Sequence, residues 1–491
     1  MAREQEIKKE RLKKIEDLKK KKHAVYGYFF NKKDSAKDLQ EKFQKLKPSQ
    51  TTKNKAKIAG RVMIVRDMGK ITFSTLQDFT GKIQIILQQS KTPEKIIRFF
   101  KKYVDTGDFI GVSGTIMKTN RGELSILADK IELLSKALLP LPEKWHGLKD
   151  KEERYRKRYL DLIMNPKVKE VFIKRAEIIN AIREFLNKKG FIEVETPILQ
   201  PIYGGTNAKP FSTHLNVLKM KLYLRLAPEL YLKRLVIGGF EKVYEIGRNF
   251  RNEGIDYMHN PEFTMIEWYE AYADYNKMMG TAEELYKFIA KKIIKKNTIE
   301  FRGRKINLSG NWPKVSMTDI IKKKLKIDVE KMSLNELKEF VKKNEVDFRG
   351  EANKGILINA IFEKLVSKQL DGPVWIIDYP KEVSPLAKPH REKKGFVERF
   401  ECYISGEEVG DGWSEIINPI EQKERFEIEQ KAMKSGNEEA HPMDKDFINA
   451  LEYGMPILGG IGIGIDRLVM LFTNSESIRD VILFPFMKPN K

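Results

Sequence analysis

VYEIGRNFRNEGIDYMHNPEFTMIEWY, residues 243–269, is the stretch on which the reading of this chain turns. Val243, Tyr244, Ile246 and Phe250 mark a strand interrupted by Gly247, and Phe263, Thr264, Met265, Ile266, Trp268 and Tyr269 mark a return strand. Between them runs a polar, glycine-containing loop, and a long charged loop held by two strands is where a scaffold meets its ligand. Arg251 is a permanent cation with a planar fork of donors suited to phosphate or carboxylate. Glu253, two residues on, shares its face in an extended backbone. His259 sits in the loop, and Phe263 offers a flat ring where the chain returns. An isolated Arg-x-Glu is usually a solvated pair on an ordinary hairpin. Four kinds of chemistry in one loop are a more specific signal.

The full stretch is similar to motif 2 of the class II aminoacyl-tRNA synthetases, and most similar to the lysyl branch of subclass IIb, bacterial type. The resemblance runs through nearly the whole chain after about residue 55. It implies an α+β protein: an N-terminal five-stranded OB barrel joined to a catalytic domain built on a mainly antiparallel sheet flanked by helices. It also implies ATP-dependent activation of L-lysine and transfer to tRNA(Lys), with Mg2+ as cofactor.

Bulk composition is compatible with this and does not demand it. A chain of 491 residues suits two or three domains, and 41% apolar residues support globular folding. Lys+Arg 92 against Asp+Glu 69 gives a net charge of +23, which favours a polyanionic partner or simply a lysine-rich surface. The single cysteine, Cys402, excludes an intrachain disulfide framework and a cysteine-based zinc site, and fits a reducing cytoplasm. No signal-peptide-like run stands at the N-terminus, and the apolar stretch 456–465 is too short and glycine-rich to span a bilayer, so no membrane is expected.

The expected domains are a basic helical extension (1–50), a barrel (51–138), a linker and hinge (139–163) and a catalytic domain (164–491). Residues 1–22 place Ile7, Leu12, Ile15 and Leu18 at roughly helical spacing among charges and read as a solvated basic helix, with phosphate contact as its functional reading. Five short strand-like runs between residues 55 and 135, with a helical TPEKIIRFFKKYV after the third, indicate the barrel. Such barrels bind single-stranded nucleic acid by stacking bases on exposed aromatics beside basic groups. Phe73 can stack a base, and Arg66 and Gln84 can bond base edges; the resemblance implies that these three read the central uridine of the anticodon.

Residues 167–189 carry apolar groups at 171, 178, 182 and 185, one face of a helix that Gly190 ends, and the strand FIEVETP follows. This resembles motif 1, which implies a homodimer. The glycine-rich YGGTNAKPF leads toward a helix containing Glu229, and the resemblance places the amino acid's α-ammonium against Gly205, Glu229 and Glu267. A strand, RFECYISGEEVGDGWSE (399–415), carries Glu401 and Glu408 as the implied magnesium ligands. In the same way Glu415 and Tyr269 would receive the ε-ammonium. GGIGIGIDRLVMLF (459–472) is a glycine-dense strand turning into a helix near Asp466-Arg467 and resembles motif 3. It lacks the third glycine of a dinucleotide loop, and no phosphate-binding P-loop occurs. Lys331-Met332-Ser333-Leu334 looks like the KMSKS loop of class I synthetases, but Ser333 with Glu336 reads as a capping box.

The implied site sandwiches the adenine between Phe263 and Arg467, gives its amino group to Glu253, and puts Arg251 on the α-phosphate and the substrate carboxylate, with His259 near the outer phosphates. Arg251 and Arg467 are the catalytic pair. Asp411 departs from the lysyl pattern, where Asn is usual, and Trp413 replaces a smaller aromatic. An aspartyl-specific pocket would need an arginine in this stretch, and none is expected. Three alternatives remain: an aspartyl or asparaginyl enzyme of the same subclass, the paralogue that lysylates elongation factor P (which lacks the barrel), and a non-catalytic RNA-binding relative.

Overall fold

The computed structural model describes residues 2–142, 150–348, 350–434 and 440–489. The expected linker at 139–163 lies partly outside the described residues. The chain divides into two compact units, Met1–Leu148 and Lys149–Lys491.

In the first unit, β1 (Thr51–Asp67), β2 (Ile71–Gln77), β3 (Lys82–Gln88), β4 (Phe109–Lys118) and β5 (Leu124–Ser135) close into a barrel of order β1-β2-β3-β5-β4. The helix Glu94–Tyr103 stands between β3 and β4, as the sequence implied. Strict alternation along β2 buries Thr72, Ser74 and Leu76 and leaves Phe73 and Thr75 on the outer face. Ile58, Val62, Leu76, Ile85, Val112 and Ile126 fill the interior.

The N-terminal helix Ala2–Lys20 corrects the sequence reading: it is docked rather than solvated. Ile15 and Leu18 are buried in the barrel core, and Arg11 on the same stripe donates to the carbonyls of Ala137, Leu139 and Thr106 at 2.9–3.0 Å. A single-sided apolar stripe, even a short one, is a surface that another element can cover.

In the second unit an eight-stranded sheet contains β6 (Ile192–Glu193), β7 (Lys242–Phe250), β8 (Glu262–Ala271), β9 (Lys314–Ser316), β10 (Val374–Pro380), β11 (Phe396–Ile404), β12 (Glu407–Ser414) and β13 (Leu458–Gly464). Their order is β9-β10-β11-β12-β13-β8-β7-β6, antiparallel except for the two outermost pairs. The expected strand FIEVETP shrinks to Ile192–Glu193. The expected single strand 399–415 is a hairpin, β11 and β12, turning at Ser405 (φ 54°) and Gly406 (φ 75°). Two positive φ values in a two-residue loop are the turn that matches strand twist, and glycine takes one of them without cost.

The helix Pro166–Lys188 buries Ile178, Ile182 and Phe185 against the core that holds Met278, Ala282 and Leu285. It ends as the sequence predicts: Gly190 has φ 82°, and the Phe191 N–H returns to the carbonyl of Leu186 at 3.1 Å. The lysine-rich segment after β9 folds its helices Met317–Leu325, Leu334–Lys343 and Lys354–Ile361 around a core of their own. Ser333 and Glu336 form a reciprocal capping box, so the KMS triplet opens a helix.

Candidate active site

The hairpin β7–β8, with Asn249 opposite Phe263, projects the loop of residues 251–261 over one end of the sheet. Strands β8, β13, β12 and β11 form the floor beneath it. Between them opens a cleft of about 770 Å³, lined by Gly205, Glu229, Arg251, Glu253, His259, Phe263, Glu267, Tyr269, Glu401, Glu408 and Arg467. Sites drawn from four distant parts of the sequence therefore meet in one cavity.

Arg251 lies with its guanidinium 5.1 Å from the Phe263 ring centre, and its Nε has no hydrogen-bond partner among the described residues. Burial pulls its pKa down, nearby Glu253 opposes this, and Arg467 adds to it. A half-buried cation with a shielded, unpaired donor is a ready receiver for an anion. Arg251 is thus the cation over Phe263 in the empty cleft. Arg467, expected on the far face of the adenine, donates to the carboxylate of Glu408 at 2.8 Å and approaches Nε2 of His259 at 3.2 Å. His259 Nδ1 is held by Asp256 at 2.8 Å, which leaves Nε2 to accept from the arginine. Asp466 accepts from the Thr264 N–H at 2.7 Å and from Arg175 at 2.6 Å, tying the helix Pro166–Lys188 to the start of the helix Ile465–Thr473.

The two expected metal ligands are both engaged. Glu401 accepts from Arg399 at 2.7 Å and from the Tyr403 hydroxyl at 2.7 Å, while Glu408 is held by Arg467. Among the described residues no group of three or more His, Cys, Asp or Glu side chains is gathered to hold a metal ion. The donor set is therefore no all-protein cage. It does fit a cation such as Mg2+, which keeps its waters, takes one or two carboxylates and completes its shell on substrate phosphates.

The other end of the cleft is acidic. Glu229 opens the helix Glu229–Ile237, and Gly205 (φ 86°) comes so close that a Cβ there would touch Ala227 and Glu229. The Gly205 N–H donates to Nε2 of buried His441 at 2.6 Å, so the loop is anchored from behind. Glu267 accepts from the Tyr269 hydroxyl at 3.2 Å, and burial pushes its pKa up to about 8, with Glu229 adding to the rise. Glu415 does not line the open cleft. It lies behind Tyr269 and Gly460, where Oε2 accepts from Trp413 Nε1 at 2.7 Å and Oε1 has no partner among the described residues.

Three residues escaped the sequence reading. Arg399 lines the cleft, contrary to the expectation of no arginine, and pairs with Asp411 through two bonds of 3.0 and 3.1 Å as well as with Glu401. The Asp411 carboxyl is thereby committed to Arg399 and not to a substrate ammonium, although burial pushes its pKa up to about 8 against the pull of that arginine. Lys233 is buried between Glu229 and Glu415, and Lys368 lines the cleft beside Glu407 at 2.9 Å. On the barrel, the register sets Arg66 opposite Phe73 and Gln84 opposite Thr75, so all three expected anticodon readers share one face. Gln84 Oε1 accepts from Ser125 at 2.9 Å.

Residues 150–488 match the family described as class II tRNA synthetases (D, K and N), and residues 56–134 match the OB-fold nucleic acid binding domain. The chain belongs to the class II aminoacyl-tRNA synthetases. It is 50% identical over 486 residues to a lysine–tRNA ligase of Carboxydothermus hydrogenoformans, covering 99% of this chain and 98% of that one. A lysine–tRNA ligase of Prochlorococcus marinus is 50% identical, covering 99% and 96%. That of Pelotomaculum thermopropionicum is 49% identical with the same coverage. ATP is a substrate of this family. No helix among the described residues is long and apolar enough to cross a membrane.

Proposed function

We propose that the cleft joins ATP to the carboxylate of L-lysine and that the enzyme then charges tRNA(Lys), acting as a lysine–tRNA ligase. One observation carries this reading. A phosphate-receptive end containing Arg251 and Arg467 and an acidic end containing Glu229 and Glu267 line the same pocket, with Glu415 behind its wall beside Tyr269 and Gly460. A molecule spanning both must offer an anion at one end and ammonium groups at the other.

Phe263 receives the adenine ring, Glu253 its amino group, and Arg467 the nucleotide's other face and γ-phosphate once Glu408 turns toward the phosphates. His259 assists at the outer phosphates. Arg251 binds the α-phosphate and the lysine carboxylate together, screening two anions that would repel. The carboxylate oxygen attacks the α-phosphorus in line, the bond to the β-phosphate oxygen breaks, and pyrophosphate leaves lysyl-adenylate behind. Catalysis is positioning and electrostatics, with no protein nucleophile. Glu401 and Glu408 would hold Mg2+, which supplies charge neutralisation for the outer phosphates when bound. In the second step the 3′-hydroxyl of the terminal adenosine attacks the activated carbonyl and AMP leaves.

Gly205, Glu229 and Glu267 take the α-ammonium, and Tyr269 with Glu415 takes the ε-ammonium. Arg399 does not turn the pocket toward aspartate, because Asp411 and Glu401 already claim its fork. Arg66, Phe73 and Gln84 take the anticodon. Exposed Ile173, Ile192, Ile198 and Leu199 around the motif 1 elements support a homodimer, and the single buried thiol of Cys402 supports a cytoplasmic setting. The test is amino-acid-dependent ATP–pyrophosphate exchange across the twenty amino acids. Lysine alone is expected to sustain exchange; aspartate or asparagine doing so would overturn the assignment.

A further inference from the structure

Behind the acidic end of the cleft lies a buried cation that the chain itself provides. Lys233 lies one turn after Glu229 on the same helix and is 1% exposed. Its Nζ is 2.5 Å from Glu229 Oε1 and 2.5 Å from Glu415 Oε2. The ring of Tyr269 is 6.0 Å away. The other titratable groups around it are Glu267 on β8, Arg399 on β11, which acts on Glu229, and His441, whose pKa burial lowers to about 4 and which is therefore neutral.

We propose that Lys233 is a positioning residue that sets amino-acid specificity: it is the third ammonium of the site, holding one oxygen each of Glu229 and Glu415 so that Glu415 Oε1 is left to the side-chain ammonium of the substrate. The charge count makes the argument. Three buried carboxylates, Glu229, Glu267 and Glu415, face one protein ammonium. Lysine brings two more, its carboxylate being taken by Arg251, so three anions meet three cations. An amino acid with a neutral side chain leaves one carboxylate unmatched in a dry site, and the site must then hold a proton or lose affinity. Lys233 also explains the geometry of Glu415. Trp413 and Lys233 both bind Oε2, and only Oε1 stays unsatisfied.

The inference rests on lysine being the substrate, and its consequence is a pH dependence. Burial pushes Glu267 up to about 8, and burial outweighs the pull of Lys233 to push Glu415 up to about 8. Glu229 raises both further. These groups must ionise to receive the ammoniums, so KM for lysine falls as pH rises and levels off once they are ionised. Removing Lys233 removes the cation that favours ionisation, and the levelling-off point moves to higher pH, with about tenfold in KM at neutral pH for each unit of displacement.

The test measures lysine-dependent ATP–pyrophosphate exchange from pH 6 to 9.5 for the native enzyme, Lys233→Met and Lys233→Gln. Both variants are expected to displace the levelling-off point upward by at least about one unit, with kcat little changed. Adding Glu229→Gln to Lys233→Met removes one carboxylate and is expected to bring the point back, whatever the absolute KM. A purely structural lysine would give a double variant worse than the single one and no return of the profile. Unmoved profiles in the single variants overturn the proposal. Should the variants not fold, the native enzyme decides: calorimetry at pH 7 in buffers of unequal ionisation enthalpy is expected to show release of about one to two protons per lysine bound, and no release overturns the charge count. Absence of any lysine-dependent exchange in the native enzyme would instead remove lysine as the substrate.

Discussion

Glu415→Gln is the sharpest test of how the pocket selects its amino acid. The substitution keeps the shape of a side chain that is almost fully buried and keeps an acceptor for Trp413 Nε1. Lys233 retains Glu229 at 2.5 Å, so no protein charge is stranded. What is lost is the anion that would face the ε-ammonium at Oε1. An ammonium buried there without its partner costs about 3–5 kcal/mol, as breaking a buried pair does. At about 1.36 kcal/mol per decade this is roughly 150- to 5,000-fold in kcat/KM for lysine.

The assay is lysine-dependent ATP–pyrophosphate exchange, with ATP binding measured separately to show that Arg251, Phe263 and Arg467 still work. The position of Glu415 makes the split informative. It lies behind Tyr269 and Gly460 at the far end from Arg251, so its loss should enter mainly through KM, with a fall in kcat only where remote binding energy positions the carboxylate. Near-native kcat/KM, within about threefold, would mean that no ammonium sits at Oε1, and the assignment of the acidic end would fail with it.

Phe73→Ala removes the ring that would stack on an anticodon base, a loss of about 1–3 kcal/mol. The expected result is a rise of about 5- to 150-fold in KM for tRNA with ATP–pyrophosphate exchange untouched, checked by aminoacylation kinetics. Leu18→Ala opens a cavity in the barrel core and should lower the stability of the N-terminal unit by about 2–5 kcal/mol in denaturant unfolding, whereas a solvated helix would show almost no change. His441 has its pKa lowered by burial to about 4 from an ordinary 6.5, so the unfolded chain binds the proton more readily than the folded one. The stability this carries is complete above pH 6.5 and is lost as pH falls toward 4, about 3 kcal/mol in all. His441→Gln keeps an acceptor for the Gly205 N–H and should flatten that part of the urea-midpoint profile against pH.

Where local chemistry and periodicity agreed, the sequence was legible. The hairpin of 243–269 announced itself by strand formers on both sides of a charged loop, and the structure returns it as β7 and β8 with Asn249 facing Phe263. The helix end at Gly190 and the capping box at Ser333 are written in single residues, because only glycine takes φ 82° cheaply and only a short hydroxyl side chain closes that box. The turn at Ser405-Gly406 was equally local, yet continuous β-forming character on both sides hid it. The dipeptide Ser-Gly was the signal. The docking of the N-terminal helix was not legible in the same sense. Ile15 and Leu18 define a stripe, but a stripe names no partner, and the partner is a barrel more than thirty residues away in sequence.

The residues missed in the active site share one property: each is defined by a partner that the sheet, and not the sequence spacing, brings near. Arg399 reaches Asp411 diagonally across the β11–β12 pairing, in which Arg399 stands opposite Trp413 and Glu401 opposite Asp411. Glu229 and Lys233 are four apart on a helix, and from sequence that pair is an ordinary exposed ion pair worth a few tenths of a kcal/mol. Burial beside Glu415, a residue 182 positions from Lys233, turns it into a determinant of the pocket's charge. The same physics makes a phosphate-receptive end more legible in sequence than an acidic one. A phosphate needs cations and an open path, which a charged loop displays along the chain. An ammonium needs a counted number of buried anions, and a count of charges exists only once the fold has closed around them.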